Sequence, residues 1–367
     1  MNSTIIEAPE ASTCAPPMRD TDYLQTRDPV AAPELGDQVE CWQGGEGVPP
    51  LFIERRSNAL NDKDAFLAWV QAHRPALDAL IIRHGGILLR GFPIDSADSF
   101  NQLMAIFPNY EPGYAGGMSP RKAVTGKILE STRLDERFKI ILRSEMAYMK
   151  RYPPRIAVFS KITAPEGGET IMGSMREFMK RFPESLMKRL EGRKVHIVRN
   201  YAPAGSTRDA QSVDHPDKIG WDDAFYTDKR EEVEARCAEL GMEPIWNEDG
   251  SLTLREETDI FTVHPITGER IYRNNLHTIR NFDRDPKFSA VVAAVRAGQK
   301  YPSGHYLDTG EQFTDAEIDT VMGLYDQIEL AWRWRDGDVA ILDNLLCAHG
   351  RNPFSGPREV MVALLDR

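Results

Sequence analysis

Apolar positions along this chain switch between helical and strand spacing. From Ala65 to Ile82, Phe66, Leu67, Trp69, Val70, Leu77, Leu80 and Ile81 recur at helical intervals, which predicts a helix burying one stripe. Gly85-Gly86 stops it. The run Ile87-Leu88-Leu89-Arg90-Gly91-Phe92 then reads as a short buried strand closed by Pro93, and Ser99 to Phe107 as a second helix. Ile140 to Ala147 and Ile156 to Ile162 read as strands. The turn Glu166-Gly167-Gly168-Glu169-Thr170 leads into another strand at Ile171-Met172. Helices are expected over Met175 to Arg181 and Glu184 to Gly192. Short strands return around Phe261, Ile271 to Arg273, Val339 to Asp343 and Val360 to Leu365.

Between these runs lies a polar, charge-rich block, 203–255, with a helical stretch near Asp228 to Leu240. It interrupts the strand pattern, as an insert or lid over a site would. Short strands on both sides of a helical insert predict a mainly β protein with outer helices, a β-sandwich or jelly roll. The expected organisation is a partly mobile N-terminal arm over 1–45 and one domain over 46–367, with the insert beside the pocket mouth. The polar, Pro-rich start of the chain lacks the basic segment and apolar core of a signal peptide.

Charge and cysteine usage narrow the function. The 367 residues carry a net charge of -11 with a pI near 5.3. An acidic surface argues against nucleic acid and anionic membranes as partners, while leaving room for a local basic pocket. No apolar run approaches the roughly 20 residues of a membrane helix. Cys14, Cys41, Cys237 and Cys347 show no metal-type spacing and read as reduced thiols of a cytoplasmic protein. Lys229-Arg230-Glu231-Glu232 reads as a solvated helix face. Trp332 and Trp334 read as packing beside the turn at Asp338, and Asp343 and Asn344 as partners for strand-end backbone.

The C-terminal segment carries candidate chemistry. His349 leaves a buried strand, and Arg358 returns nine residues later on the next. Neutral imidazole is a good ligand for iron(II), and a guanidinium can hold a carboxylate with two parallel hydrogen bonds. Taken alone, a capped strand end with a surface arginine is the better reading. Other blocks stand with it in a fixed order: Arg83-His84-Gly85-Gly86, Arg143-Ser144-Glu145-Met146-Ala147-Tyr148, Tyr152-Pro153-Pro154-Arg155, Ala164-Pro165-Glu166-Gly167-Gly168-Glu169-Thr170, His264-Pro265-Ile266-Thr267-Gly268-Glu269 and Gly337-Asp338-Val339-Ala340-Ile341-Leu342-Asp343-Asn344. Over roughly residues 80 to 367 this order resembles the taurine dioxygenase (TauD/TfdA) superfamily of iron(II)/2-oxoglutarate oxygenases. The branch nearest in pattern holds clavaminate synthase and the syringomycin-type amino-acid hydroxylases.

The resemblance implies a double-stranded β-helix and a set of roles. Glu145 falls on the carboxylate ligand of iron and His349 on the distal histidine. Arg358 resembles the arginine that grips the far carboxylate of 2-oxoglutarate, and Thr170 the hydroxyl beside it. The first histidine ligand falls on Arg143. Arginine has no lone pair to donate and stays protonated, so the triad is incomplete. On an extended strand, Arg143 and Glu145 would share a side and form an ion pair. His84, His264 and His277 are expected to be structural.

Three activities follow from the resemblance and its departure. One is an oxygenase that hydroxylates or desaturates an amino-acid-like substrate, free or attached to a carrier protein, with iron dependence in doubt. The second is an enzyme of lyase or isomerase type on the same scaffold. In it Arg143, Glu145 and His349 would do metal-free acid–base or electrostatic work. The third is a non-catalytic binder of a dicarboxylate.

Overall fold

In the strand Arg155–Ile162, Ile156 and Val158 enter one hydrophobic cluster while Ala157 and Phe159 enter another. The same parity separates Leu88 from Ile87 and Leu89 in Gly86–Arg90, and Val362 and Leu364 from Met361 and Ala363 in Glu359–Leu365. Successive strand side chains point to opposite faces, so these runs belong to a sheet buried on both sides. That is why they read as continuous apolar stretches. A computed structural model describes residues 24, 26–117, 121–132, 134, 136–206, 219–274, 277 and 303–367.

The main sheet has nine strands. In spatial order they are Asp28–Pro29, Val39–Gln43, Leu51–Arg55, Gly86–Arg90, Val339–Asp343, Arg155–Ile162, Glu359–Leu365, Ile128–Glu130 and Ala123–Thr125. All pairings are antiparallel except Leu51–Arg55 with Gly86–Arg90. Helices Lys63–Ala72, Arg74–His84 and Ala97–Met104 cover one face with Phe66, Trp69, Leu77, Leu80, Phe100 and Leu103. The single helix expected over residues 65–82 is therefore two. Pro75 sits in the first turn of the second, where its missing N–H costs nothing, and the break falls at His73.

Across the other face lies a three-stranded sheet, Met172–Ser174, Cys347–Arg351 and Ile140–Arg143, with Cys347–Arg351 central. Gly350 lets two of these chains approach closely, because a Cβ there would strike the carbonyl oxygen of Ile140. Helices Met175–Arg181 and Asp315–Ile328 pack behind this sheet through Met175, Phe178, Leu324 and Ile328. The mainly β fold with outer helices and two facing sheets matches the expected jelly roll. The helix Asp315–Ile328 was not expected, although Thr314 and Glu317 form its capping box.

Two boundaries differ from expectation. The segment 1–45, expected as a partly mobile arm, supplies the last two strands at one end of the main sheet from Asp28 onward, the inner one held by buried Val39 and Trp42. Its first 23 residues lie outside the described residues. The block 203–255 does contain a helix, Arg230–Leu240, but its second half is β. Glu243–Trp246 and Leu252–Asp259 pair with Lys194–Tyr201 and Ser303–Leu307 in a four-stranded antiparallel sheet. Arg255, Glu257 and Asp259 face solvent, and the buried Glu256 pairs with Arg199, so charge concealed the alternation. Residues 207–218 of the block lie outside the described residues. Among the described residues no helix is long and apolar enough to cross a membrane.

Candidate active site

The strand Ile140–Arg143 ends at Arg143, and the chain then turns through Met146, which takes a positive φ of 53°. Glu145 thus lies on the turn rather than on an extended strand, although it still lines the same cavity as Arg143. Glu145 is placed by Asn344 instead. Its backbone N–H donates to Asn344 Oδ1 at 2.7 Å, and Asn344 Nδ2 donates to its carbonyl at 2.9 Å and to that of Pro153 at 2.8 Å. His349 sits on the central strand, with Arg143 its register partner on one side and Met172 on the other.

His349 Nε2 lies 3.2 Å from Glu145 Oε2. With the carboxylate ionised, the imidazole donates from Nε2, which leaves Nδ1 buried without a partner among the described residues. Burial pushes the imidazole below its usual range, partly opposed by Glu145. Burial would raise the Glu145 carboxyl, but the Arg121 charge, the His349 hydrogen bond and Arg143 outweigh it and hold it far below the usual carboxylate range.

The expected ion pair between Arg143 and Glu145 is replaced by one with Arg121. Arg121 Nη2 stands 3.4 Å from each Glu145 oxygen, and both side chains are buried. Arg121 also lies 4.3 Å over the Tyr114 ring, and its backbone N–H donates to Tyr226 Oη at 2.9 Å. Arg143 forms no hydrogen bond or ion pair among the described residues. Burial, with Arg121 nearby, lowers its pKa, although Glu145 pulls the other way.

Arg358 approaches from the main sheet. Its Nε donates to the Gly168 carbonyl at 2.9 Å, and its terminal nitrogens have no protein partner among the described residues. Burial pushes it down to about 10, against the pull of Glu169. Thr170 is fixed through its carbonyl, which accepts from Trp334 Nε1 at 3.1 Å. Trp334 stacks on Trp332 at 5.5 Å, so the two tryptophans pack as expected while one also positions Thr170.

All five expected site residues, Arg143, Glu145, Thr170, His349 and Arg358, line one cavity of about 50 Å³ between the two sheets. Arg121 borders this cavity and a larger one of about 760 Å³, flanked by Tyr114, Phe225, Tyr226 and Arg236. Part of the 203–255 block therefore lines the cavity that shares Arg121 with the central one. Local sequence offered no sign of Arg121, because its pairing spans 24 residues and depends on the fold. The other histidines are elsewhere. His264 Nε2 meets Asp343 Oδ2 at 3.1 Å, His277 donates to the Leu142 carbonyl at 2.6 Å, and His84 is the last residue of the helix Arg74–His84.

The donor set does not fit a three-ligand iron centre. Of the residues carried over by the resemblance only Glu145 and His349 could ligate, since Arg143, the register partner of His349, has no lone pair to offer. Among the described residues no three His, Cys, Asp or Glu side chains gather to hold a metal. Arg358 and Thr170, in contrast, suit a carboxylate.

The family described as taurine catabolism dioxygenase TauD, TfdA matches residues 59–364. Dapdiamide synthesis protein DdaC of Enterobacter agglomerans is 27% identical over 320 residues, covering 87% of this chain and 92% of that protein. A clavaminate synthase-like protein of Arabidopsis thaliana is 27% identical over 306 residues, covering 82% and 87%. The solved structure of AAD-2 in complex with Mn(II) and N-oxalylglycine aligns with a TM-score of 0.50 at 9% identity, over 90% of this chain and 97% of that one, a likeness of fold.

Proposed function

The chain belongs to the taurine catabolism dioxygenase TauD, TfdA family of iron(II)/2-oxoglutarate oxygenases, and we propose that it binds an acidic, amino-acid-like small molecule of secondary metabolism without a complete iron centre. The observation that carries this reading is the lining of the central cavity. Arg358 and Thr170 line it as groups suited to a carboxylate, and Arg143 lines it beside Glu145 and His349. An arginine facing a buried space is costly unless an anion pairs with it. 2-Oxoglutarate or a substrate carboxylate supplies that anion.

The name of the dapdiamide synthesis protein supports a substrate built from amino acids, free or carried on a partner protein. The free thiols Cys41, Cys237 and Cys347 suit a reducing cytoplasm. Within the pocket, the ionised Glu145 and the neutral His349 form a hydrogen-bonded pair able to accept or pass a proton. This favours acid–base work such as elimination or isomerisation over oxygen activation.

Calorimetry with 2-oxoglutarate on the wild type and Arg358→Ala tests the carboxylate site. Binding lost in the variant is expected; equal binding by both, or none by either, counts against the reading. Turnover that persists under chelator and without oxygen is the expected signature of the chemistry.

A further inference from the structure

Four guanidinium groups, Arg121, Arg143, Arg351 and Arg358, line the central cavity against one carboxylate, Glu145. Two of them are engaged. Arg121 pairs with Glu145, and Arg351 donates to the carbonyls of Leu134 and Phe138 at 2.9 and 2.8 Å. Arg358 spends only its Nε on the protein, and Arg143 spends nothing on the described residues. The cavity therefore presents two cations, Arg143 and Arg358, that form no salt bridge with a described side chain.

Resting on the reading above, we propose that Arg143 forms a second anion subsite beside Glu145 and His349, so that the cavity selects molecules carrying two acidic groups. One carboxylate sits on Arg358 and Thr170, and the other on Arg143. The physical reason is charge balance. Glu145 is held by Arg121 and by His349 and makes no hydrogen bond with Arg143 among the described residues. A monoacid would satisfy one of the two cations and leave the other buried and unpaired. A guanidinium also makes a geometric demand, offering parallel donors that match a planar carboxylate.

The test compares glutarate with pentanoate, which differ by one carboxylate, on the wild type, Arg143→Gln and Arg358→Gln by calorimetry. Circular dichroism and thermal melts confirm that each variant is folded. The wild type is expected to bind glutarate about tenfold or more tightly than pentanoate, the scale of one charge-assisted bidentate contact. Arg143→Gln should abolish that preference while keeping pentanoate affinity. Arg143→Lys should restore part of it, since the charge returns without the fork. Wild-type protein that binds both acids equally, or Arg143→Gln that keeps the preference, overturns the second subsite. If Arg358→Gln still loses acid binding in that case, the carboxylate site of the proposed function stands. If no protein binds either acid, both fall.

Discussion

Asn344 grips Glu145 by both of its backbone polar groups, accepting from the N–H at 2.7 Å and donating to the carbonyl at 2.9 Å. Its amide also donates to Pro153 at 2.8 Å. One side chain on the turn after Val339–Asp343 therefore fixes the site carboxylate, 199 residues away in sequence. Asn344→Ala would leave three buried polar groups unpaired and should cost about 1–3 kcal/mol for each group left unsatisfied. Asn344→Asp should be no better, because a carboxylate cannot donate to two carbonyls. Urea unfolding of the three proteins checks this. An Asp variant as stable as the wild type would show that the donor half of the grip is dispensable.

Metal affinity should respond to position 143. The wild type offers two ligands and a guanidinium beside them, so iron should dissociate on simple desalting. Arg143→His adds a third ligand across the strand from His349 and should raise affinity by more than an order of magnitude. Because Arg121 still holds Glu145, the double variant with Arg121→Gln should bind iron more tightly again. Iron content after anaerobic loading distinguishes these proteins. Stoichiometric, firmly held iron in the unmodified chain would defeat the argument.

What sequence could reveal here followed range. Gly86–Arg90, Val339–Asp343 and Glu359–Leu365 were legible because both of their faces are apolar. Leu252–Asp259 was not, since half of it meets water and Glu256 within it is balanced only by Arg199 from a neighbouring strand. The five expected site residues were picked out through ordered blocks, and the fold gathers them around one cavity. Their wiring was not legible. Arg143 and Glu145 do line one cavity, but the ion pair drawn from strand geometry is not formed, because the strand stops at Arg143 and Glu145 is set by Asn344 on the turn at Met146. Arg121 reaches Glu145 only through tertiary folding.

Acid should destabilise the fold through buried histidines. His277 is pushed down to about 4 and His305 to about 3, both chiefly by burial. Arg143 acts on the first, and Arg199 together with His277 on the second. Neither nitrogen of His305 has a partner among the described residues. Their ordinary value is 6.5, so below that pH the unfolded chain takes up protons that the native chain refuses. Stability should therefore fall as pH drops from 6.5 towards about 4, by at most about 1.4 kcal/mol per pH unit for each histidine. Urea midpoints across this window should change less steeply in His277→Asn and His305→Asn than in the wild type. Identical slopes would remove these residues from the account.

The two arginines nearest Glu145 should have opposite effects on stability. Arg121 is one half of a buried ion pair, with both partners shielded from solvent. Arg121→Gln strands a carboxylate that burial alone would push up in pKa, and removing one partner of such a pair costs about 3–5 kcal/mol. Arg143 has no comparable contact among the described residues, and burial works against its charge. Arg143→Gln removes that unpaired cation at the loss of only a distant attraction to Glu145, so its melting temperature should equal or exceed that of the wild type. The order reverses when an acid is bound. Saturating glutarate should stabilise the wild type by mass action and Arg143→Gln much less, because the second carboxylate has lost its partner. Thermal melts with and without glutarate read both effects. Equal destabilisation by the two substitutions would mean that Arg143 shares the work of holding Glu145, and that the division of roles drawn here is wrong.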